Sequence, residues 1–269
     1  MSADATVFLH RLSLSVFSSR VRLRGTRSYR QLACHPAACY DQHSSRKLMT
    51  DLTGNTFFEG PAGRIEAIIK EPAAPVTRAA IVCHPHPLFG GTMHNKVVFR
   101  IARAFQNAGF AVLRFNFRGA GRSAGEHDQG VGEQGDLRAA IEFVENKYPA
   151  AEIWLAGFSF GSAVMLWAAA CDSRVRAIVA AGVPVSRYDF TGMVRCNKPK
   201  LFVQGALDEF GPARDLENFF AALDEPKELK MIQGADHFFE GGLNELSDAV
   251  SSFIGSVASN ELPPRAAIT

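Results

Sequence analysis

Residues 152–164 read Glu-Ile-Trp-Leu-Ala-Gly-Phe-Ser-Phe-Gly-Ser-Ala-Val, and this stretch decides the fold. Ile153-Trp154-Leu155-Ala156 is a short apolar run suited to a buried strand, while Ser162-Ala163-Val164 opens a small-residue, alanine-rich segment of helical character. Between them stands Gly157-Phe158-Ser159-Phe160-Gly161, a Gly-x-Ser-x-Gly elbow. A serine on a sharp strand-to-helix turn has strained backbone angles, and a side chain two residues to either side would strike the neighbouring strand or helix. The five-residue pattern alone is weak; its position between a strand and a helix makes Ser159 a candidate nucleophile.

Outward from the elbow the same alternation continues. Upstream, 79–84 (AAIVCH) and 110–117 are apolar runs suited to strands buried on both faces, and 64–71 alternates in part. Val97, Ile101 and Phe105 give 96–108 a helical spacing that stops at Gly109, and Leu137, Ile141 and Val144 do the same for 135–148, closed off before Pro149. Downstream, a helix is expected over 162–171, strands over 175–181, 200–204 and 228–232, and helices over 213–223 and 245–257. Strands alternating with helices at this spacing predict an α/β fold with a mainly parallel sheet covered on both faces. Only 184–198 separates two successive core strands, too short for a cap domain, so an open catalytic face is expected.

Bulk properties are those of an ordinary globular chain. The 269 residues are 47% hydrophobic and 21% charged, with a formal net charge of +2, and nothing global points to nucleic acid or acidic lipid. No apolar run approaches the roughly 18 residues of a membrane span. Residues 1–48 differ from the rest: they hold seven arginines, eight serines and only two acids, Asp4 and Asp41. They read as a disordered or targeting-like extension, either a mitochondrial-type presequence or a leader upstream of a start at Met49. One domain is expected over 49–260, followed by a tail over 261–269. The five cysteines (Cys34, Cys39, Cys83, Cys171, Cys196) lack zinc spacing and read as free thiols, with Cys83 and Cys171 as packing residues. Thiol usage favours the cytoplasm, and the arginine-rich leader keeps a mitochondrion or other organelle as the alternative.

A serine hydroxyl needs a base, and the base needs an acid to orient it. Leu201-Phe202-Val203-Gln204-Gly205 reads as a strand end, and Asp208 follows in the loop, with Glu209 as its rival. Lys230-Met231-Ile232-Gln233 ends the last strand, and the loop Gly234-Ala235-Asp236-His237-Phe238-Phe239 follows. His237 is the only histidine after His127, so it is the candidate base, with Asp236 holding the loop. An oxyanion needs N–H donors. Phe160 should supply one, and the loop His84-Pro85-His86-Pro87-Leu88-Phe89-Gly90-Gly91 the other; prolines cannot donate, which leaves His86 or Leu88. His84 and His86 alone do not make a metal site, and loop shaping through their imidazoles is the better account. Phe89, Phe158, Phe210 and Phe238 are candidate pocket residues favouring an apolar group, while Phe160 and Phe239 also fall beside these loops. The glycine-rich turn RGAGRSAG (118–125) lacks the Gly-Lys-Ser/Thr ending of a phosphate cradle.

Taken together, CHPHPLFGGTMHNKVV (83–98), FNFRGAGRSAG (115–125), GFSFG (157–161), QGALDEF (204–210) and GADHFF (234–239) resemble the α/β-hydrolase superfamily. The chain looks most like its compact, cap-less bacterial members with a His-Pro-His-Pro-x-x-Gly-Gly loop, and is more loosely similar to dienelactone hydrolases and to S33/S9-type peptidases. The resemblance implies an eight-stranded, mainly parallel sheet, hydrolysis through an acyl-enzyme, and the roles of nucleophile, acid and base for Ser159, Asp208 and His237. The nucleophile is serine where dienelactone hydrolases use cysteine, so that substrate class does not transfer.

The expected activity is therefore hydrolysis of carboxylic esters or thioesters, with a small ester or acyl compound as substrate and no cofactor or metal. A serine peptidase or aminopeptidase on small peptides is the second reading, and a catalytically silent binding module of the same fold is the third. The expected assembly is a monomer or a homodimer.

Overall fold

The molecule, a computed structural model, is described over residues 49–50, 55–169 and 172–259. The expected extension over 1–48 and tail over 261–269 lie outside the described residues, as do Cys34, Cys39 and Cys171. In chain order the elements are β1 (Met49–Thr50), β2 (Thr56–Gly60), β3 (Gly63–Lys70), β4 (Arg78–Cys83), α1 (Lys96–Asn107), β5 (Ala111–Phe115), α2 (Val131–Lys147), β6 (Glu152–Phe158), α3 (Phe160–Ala169), β7 (Val175–Ala181), β8 (Lys200–Gly205), α4 (Ala213–Ala222), β9 (Lys227–Ile232) and α5 (Leu243–Ser259).

The strands form one sheet in the order β1-β2-β3-β5-β4-β6-β7-β8-β9. From β5 to β9 all pairings are parallel, and β1, β2 and β3 add an antiparallel edge. The eight strands implied by the resemblance are β2 to β9; the two-residue β1 extends the edge. The apolar runs are buried on both faces because helices cover both. Along β6, Ile153 and Leu155 face the layer built with α2 and α3, while Trp154, Ala156 and Phe158 face the layer built with α1 and α5. Burying Ile153, Leu155 or Phe158 is worth roughly 1.5–3 kcal/mol each.

Besides the two-residue β1, which was not expected, two elements differ from the sequence expectation by more than a shift of their ends. β2 was not expected, because Thr56-Phe57-Phe58-Glu59-Gly60 has no clean alternation; its pairing with β3 creates it. Helix α2 begins at Val131 rather than at 135, in spite of Gly132 and Gly135. The buried Glu133 carboxylate accepts the Gly130 and Asp128 amides at 2.8 and 2.9 Å, which supplies the helix start that local propensity lacks.

The order of the strands sets up the site. The chain moves from β4 out to β5 and then back across to β6, so the crevice between the β4 and β6 loops is the switch point where open α/β sheets bind ligands. Register pairs Cys83 with Gly157, Phe158 with Ala181 and Gly205 with Ile232. The loops carrying His84, Ser159, Asp208 and His237 therefore leave the sheet along one edge.

Candidate active site

Ser159 sits immediately after β6 with φ of +54°, a left-handed conformation that costs a non-glycine residue about 1–3 kcal/mol. Its amide donates to Ala181 O at 3.0 Å, and its carbonyl accepts the Ser162 and Ala163 amides at 2.9 and 3.1 Å, so the turn is held from both sides. The flanking glycines are required by space. A Cβ on Gly157 would lie 2.5 Å from Gly161 O, and one on Gly161 would lie 2.4 Å from His84 O.

Three side chains that are distant in sequence meet at this turn. Ser159 Oγ is 2.9 Å from His237 Nε2, and His237 Nδ1 is 2.8 Å from Asp208 Oδ2. Ser159 is partly accessible, whereas Asp208 and His237 are 3% and 5% exposed, so the serine alone faces incoming solute. Asp208 Oδ1 accepts the Phe210 and Gly211 amides at 2.8 and 3.1 Å, and its Oδ2 also accepts Gln204 Nε2 at 2.8 Å. With the carboxylate as acceptor, His237 carries its proton on Nδ1 and leaves Nε2 free to accept from the serine. Glu209, the rival acid, is exposed, whereas Asp208 is buried. Asp236 Oδ1 accepts the amides of Phe238 and Glu240, both at 2.9 Å, which holds the histidine loop as its position suggested.

The loop after β4 is shaped as expected by its histidines. His84 is fully buried, donates from Nδ1 to Pro85 O at 2.6 Å and accepts the Phe117 amide on Nε2 at 2.9 Å. Burial holds its pKa down at about 4, so it stays neutral. Pro87–Phe89 forms a single 3-10 turn in which the Leu88 amide donates to His86 Nδ1 at 3.3 Å. Among the described residues, no group of three or more His, Cys, Asp or Glu side chains is arranged to hold a metal ion. Cys83 and Cys196 are buried free thiols, and burial pushes the Cys83 thiol up, out of reach of thiolate chemistry at neutral pH.

Known proteins share this chain's pattern. The model of the α/β-hydrolase fold matches residues 82–191. An uncharacterised protein of Rickettsia prowazekii is 35% identical over 213 residues, covering 76% of this chain and 90% of that one. Among solved structures, an α/β serine hydrolase homologue from Coxiella burnetii is 38% identical with a TM-score of 0.71, covering 77% of this chain and 99% of its own. An α/β serine hydrolase without a lid, from Xanthomonas campestris, is 36% identical with a TM-score of 0.70, covering 78% and 96%. The chain belongs to the α/β-hydrolase superfamily.

In this α/β hydrolase several supporting residues escape sequence reading. Gln204 is the next-to-last residue of β8, is fully buried, and spends its whole amide on the site: Oε1 accepts the Val183 amide at 2.8 Å, and Nε2 donates to Asp208 and, at 2.9 Å, to Gly211 O. A polar residue directly after the apolar run Leu201-Phe202-Val203, four positions before the acid, was the available signal. His127 and Glu133 form a second polar pair behind the β4 loop. His127 Nδ1 lies 2.7 Å from Glu133 Oε1, off a linear hydrogen-bond line, and its ring packs 4.5 Å from His86 and 5.3 Å from Phe160. The RGAGRSAG turn is a brace. Glu66 accepts Asn116 Nδ2 at 2.8 Å and the Arg122 amide at 2.9 Å, and Arg118 pairs with Asp136 at 2.7 Å.

The phenylalanines divide into two groups. Phe158 and Phe160 are buried, and Phe158 supports the His237 ring from behind at 5.2 Å rather than lining open surface. Phe210 is half-buried with its ring 4.7 Å from His237, while Phe89 and Phe238 stand in solvent. None of the described helices is long and apolar enough to cross a membrane.

Proposed function

We propose that this chain is a serine hydrolase cleaving carboxylic esters, thioesters included, through an acyl-enzyme. The observation that carries the reading is the continuous relay from Ser159 Oγ to His237 Nε2 at 2.9 Å and from His237 Nδ1 to Asp208 Oδ2 at 2.8 Å, on a strained elbow. Ser159 attacks the ester carbonyl while His237 Nε2 takes its proton, and the imidazolium is stabilised by the buried Asp208 carboxylate. His237 then returns the proton to the leaving alkoxide or thiolate as the acyl bond to Ser159 is completed. Water, deprotonated by the same imidazole, releases the acid. Phe160 opens α3, so its N–H has no acceptor within the helix and is available to the oxyanion. The Leu88 amide is engaged by His86 Nδ1, which favours the His86 amide as the second donor. The mechanism uses no cofactor or metal.

The test is labelling with a fluorophosphonate and hydrolysis of p-nitrophenyl acetate. Wild-type protein should label and turn over; Ser159→Ala should do neither, with a loss of about 10⁴-fold or more at unchanged fold. Retained turnover in Ser159→Ala would sink the assignment. Faster cleavage of aminoacyl anilides than of matched esters would move the reading to a peptidase.

A further inference from the structure

Beside the nucleophile stands a group of polar side chains that the relay leaves unused. Phe160 directly follows Ser159, and three rings pack against it: His86 at 4.9 Å, His127 at 5.3 Å and Tyr188 at 6.4 Å between ring centres. They come from three separate segments, the loop after β4, the stretch before α2 and the loop after β7. His86 and His127 also meet each other, with ring centres 4.5 Å apart. Among the described residues, His86 Nε2, His127 Nε2 and the Tyr188 hydroxyl have no hydrogen-bond partner, and none of the three is sealed from solvent.

The bonds each ring already makes fix what it has left to offer. His86 Nδ1 accepts the Leu88 amide at 3.3 Å, so a neutral ring carries its proton on Nε2 and presents a donor. Burial and the neighbouring His127 hold its pKa below the ordinary imidazole range, which keeps it neutral. His127 Nδ1 lies 2.7 Å from the fully buried Glu133 carboxylate, where a lone pair would be repelled. Its proton therefore sits on Nδ1, and in the neutral ring Nε2 is an acceptor. Burial raises the pKa of Tyr188 above the usual phenol range, so its hydroxyl keeps its proton and can both donate and accept. A donor, an acceptor and a hydroxyl grouped around one apolar ring match the bonding capacity of an alcohol. A carboxylate would bring no proton for His127 Nε2 and would add negative charge beside Glu133. An ammonium would bring no acceptor for His86.

The chemistry of the relay assigns this group to one half of the substrate. His237 returns its proton to the leaving oxygen, so the leaving alcohol lies against His237, where the rings of Phe210 and Phe238 stand 4.7 and 5.3 Å away. Arg187, 5.7 Å from the Phe210 ring, belongs to that side too. The carbonyl carbon has one other substituent, the acyl chain, and the side of the nucleophile left for it is that of Phe160 and His86. We propose that His86, His127 and Tyr188 form a hydroxyl-binding subsite for the acyl half, and that the physiological substrates are esters of hydroxy acids. The hydroxyl is held and not consumed: ester and water give the hydroxy acid and the alcohol. This inference rests on the serine-hydrolase reading above and names the substrate class for that site.

The experiment measures kcat/KM of the full chain on matched methyl esters that differ by one hydroxyl: 3-hydroxybutyrate, as both enantiomers, against butyrate, and 6-hydroxyhexanoate against hexanoate. Wild-type protein should favour the hydroxylated member of at least one pair by about tenfold, the scale of one or two net hydrogen bonds. In Tyr188→Phe, which removes only the solvent-reached hydroxyl, that ratio should fall about threefold. In His127→Phe, which keeps a ring against His86 and Phe160, it should fall to about twofold or less. Because the readout is a ratio within one protein, a general loss of activity or of folded protein cancels. Cleavage of butyrate with no hydroxyl preference overturns the subsite while leaving the serine-hydrolase reading intact, and so does a preference that survives both substitutions. Stronger selection of glycerol monobutyrate over propyl butyrate would overturn it by moving the hydroxyl to the alcohol half. Faster cleavage of monomethyl glutarate than of any hydroxy ester would overturn it by making the ligand a carboxylate. Failure to hydrolyse any of these esters, p-nitrophenyl acetate included, strikes the underlying reading instead.

Discussion

Replacing Asp208 with asparagine is the sharpest probe of the relay, because the bonds around this side chain dictate which way the new amide must point. Oδ1 accepts two backbone amides, from Phe210 and Gly211, at 2.8 and 3.1 Å. Only the amide oxygen of an asparagine can serve there, so its NH₂ must occupy the Oδ2 position. That position faces two donors, Gln204 Nε2 and His237 Nδ1, both at 2.8 Å. Gln204 cannot rotate its amide to help without breaking its bonds to the Val183 amide and Gly211 O. His237 must therefore shift its proton to Nε2, where it faces Ser159 as a donor and cannot act as base. The expected loss in kcat/KM is about 10⁴-fold, or about 5 kcal/mol of barrier. The opposed donors should cost about 2–4 kcal/mol of folding stability in addition. The assays are p-nitrophenyl acetate hydrolysis and urea unfolding. If Asp208→Asn alone stayed within about tenfold of wild type, the inference that this carboxylate dictates the His237 tautomer would be refuted.

Three further outcomes follow from the geometry. Both Ser159→Gly and Ser159→Ala abolish turnover, but the glycine variant should be the more stable by about 1 kcal/mol, or about 2–4 °C in melting temperature, because it relieves the +54° φ; equal or reversed stabilities would contradict the strain. Gly161→Ala drives a Cβ to 2.4 Å from His84 O and 2.6 Å from Cys83 C, both backbone atoms, and should destabilise by at least about 3 kcal/mol or prevent soluble expression. His84 has its pKa lowered from 6.5 to about 4, chiefly by burial, so between those values the unfolded chain binds the extra proton. Stability from this residue is complete above about pH 6.5 and falls by up to about 3 kcal/mol toward pH 4; urea midpoints across that window should flatten in His84→Gln, and an unchanged slope would remove His84 as the cause.

Much of the fold is written in short-range patterns. Alternation of apolar runs with helical spacing depends on near neighbours, which is why 175–181 and 200–204 agree with β7 and β8 to within a residue, and why α1 ends at Asn107, one residue short of the expected 96–108 and just before the left-handed Gly109. The Gly157-Phe158-Ser159-Phe160-Gly161 elbow is legible for the same reason: its steric demand is set by residues two positions away. β2 was not legible because a strand that exists through pairing with β3 draws on a partner its own stretch does not announce, and the start of α2 was hidden by Gly132 and Gly135, weak helix formers in a first turn that the local bonds of Glu133 to the Gly130 and Asp128 amides hold.

At the site the division runs along the same line. Chain order alone nominated Ser159, Asp208 and His237, since nucleophile, acid and base must each follow a strand end. Only the folded chain separates Asp208 from Glu209, by turning one carboxylate inward onto His237 and the other to solvent. Only the folded chain reveals Gln204 as the clamp on that acid, and distinguishes the buried Phe158 from the projecting Phe89 and Phe238. Local sterics and hydrophobic periodicity are properties of a stretch of sequence. Burial, side-chain direction and the sharing of one carboxylate among four donors belong to segments that meet only after the sheet has assembled.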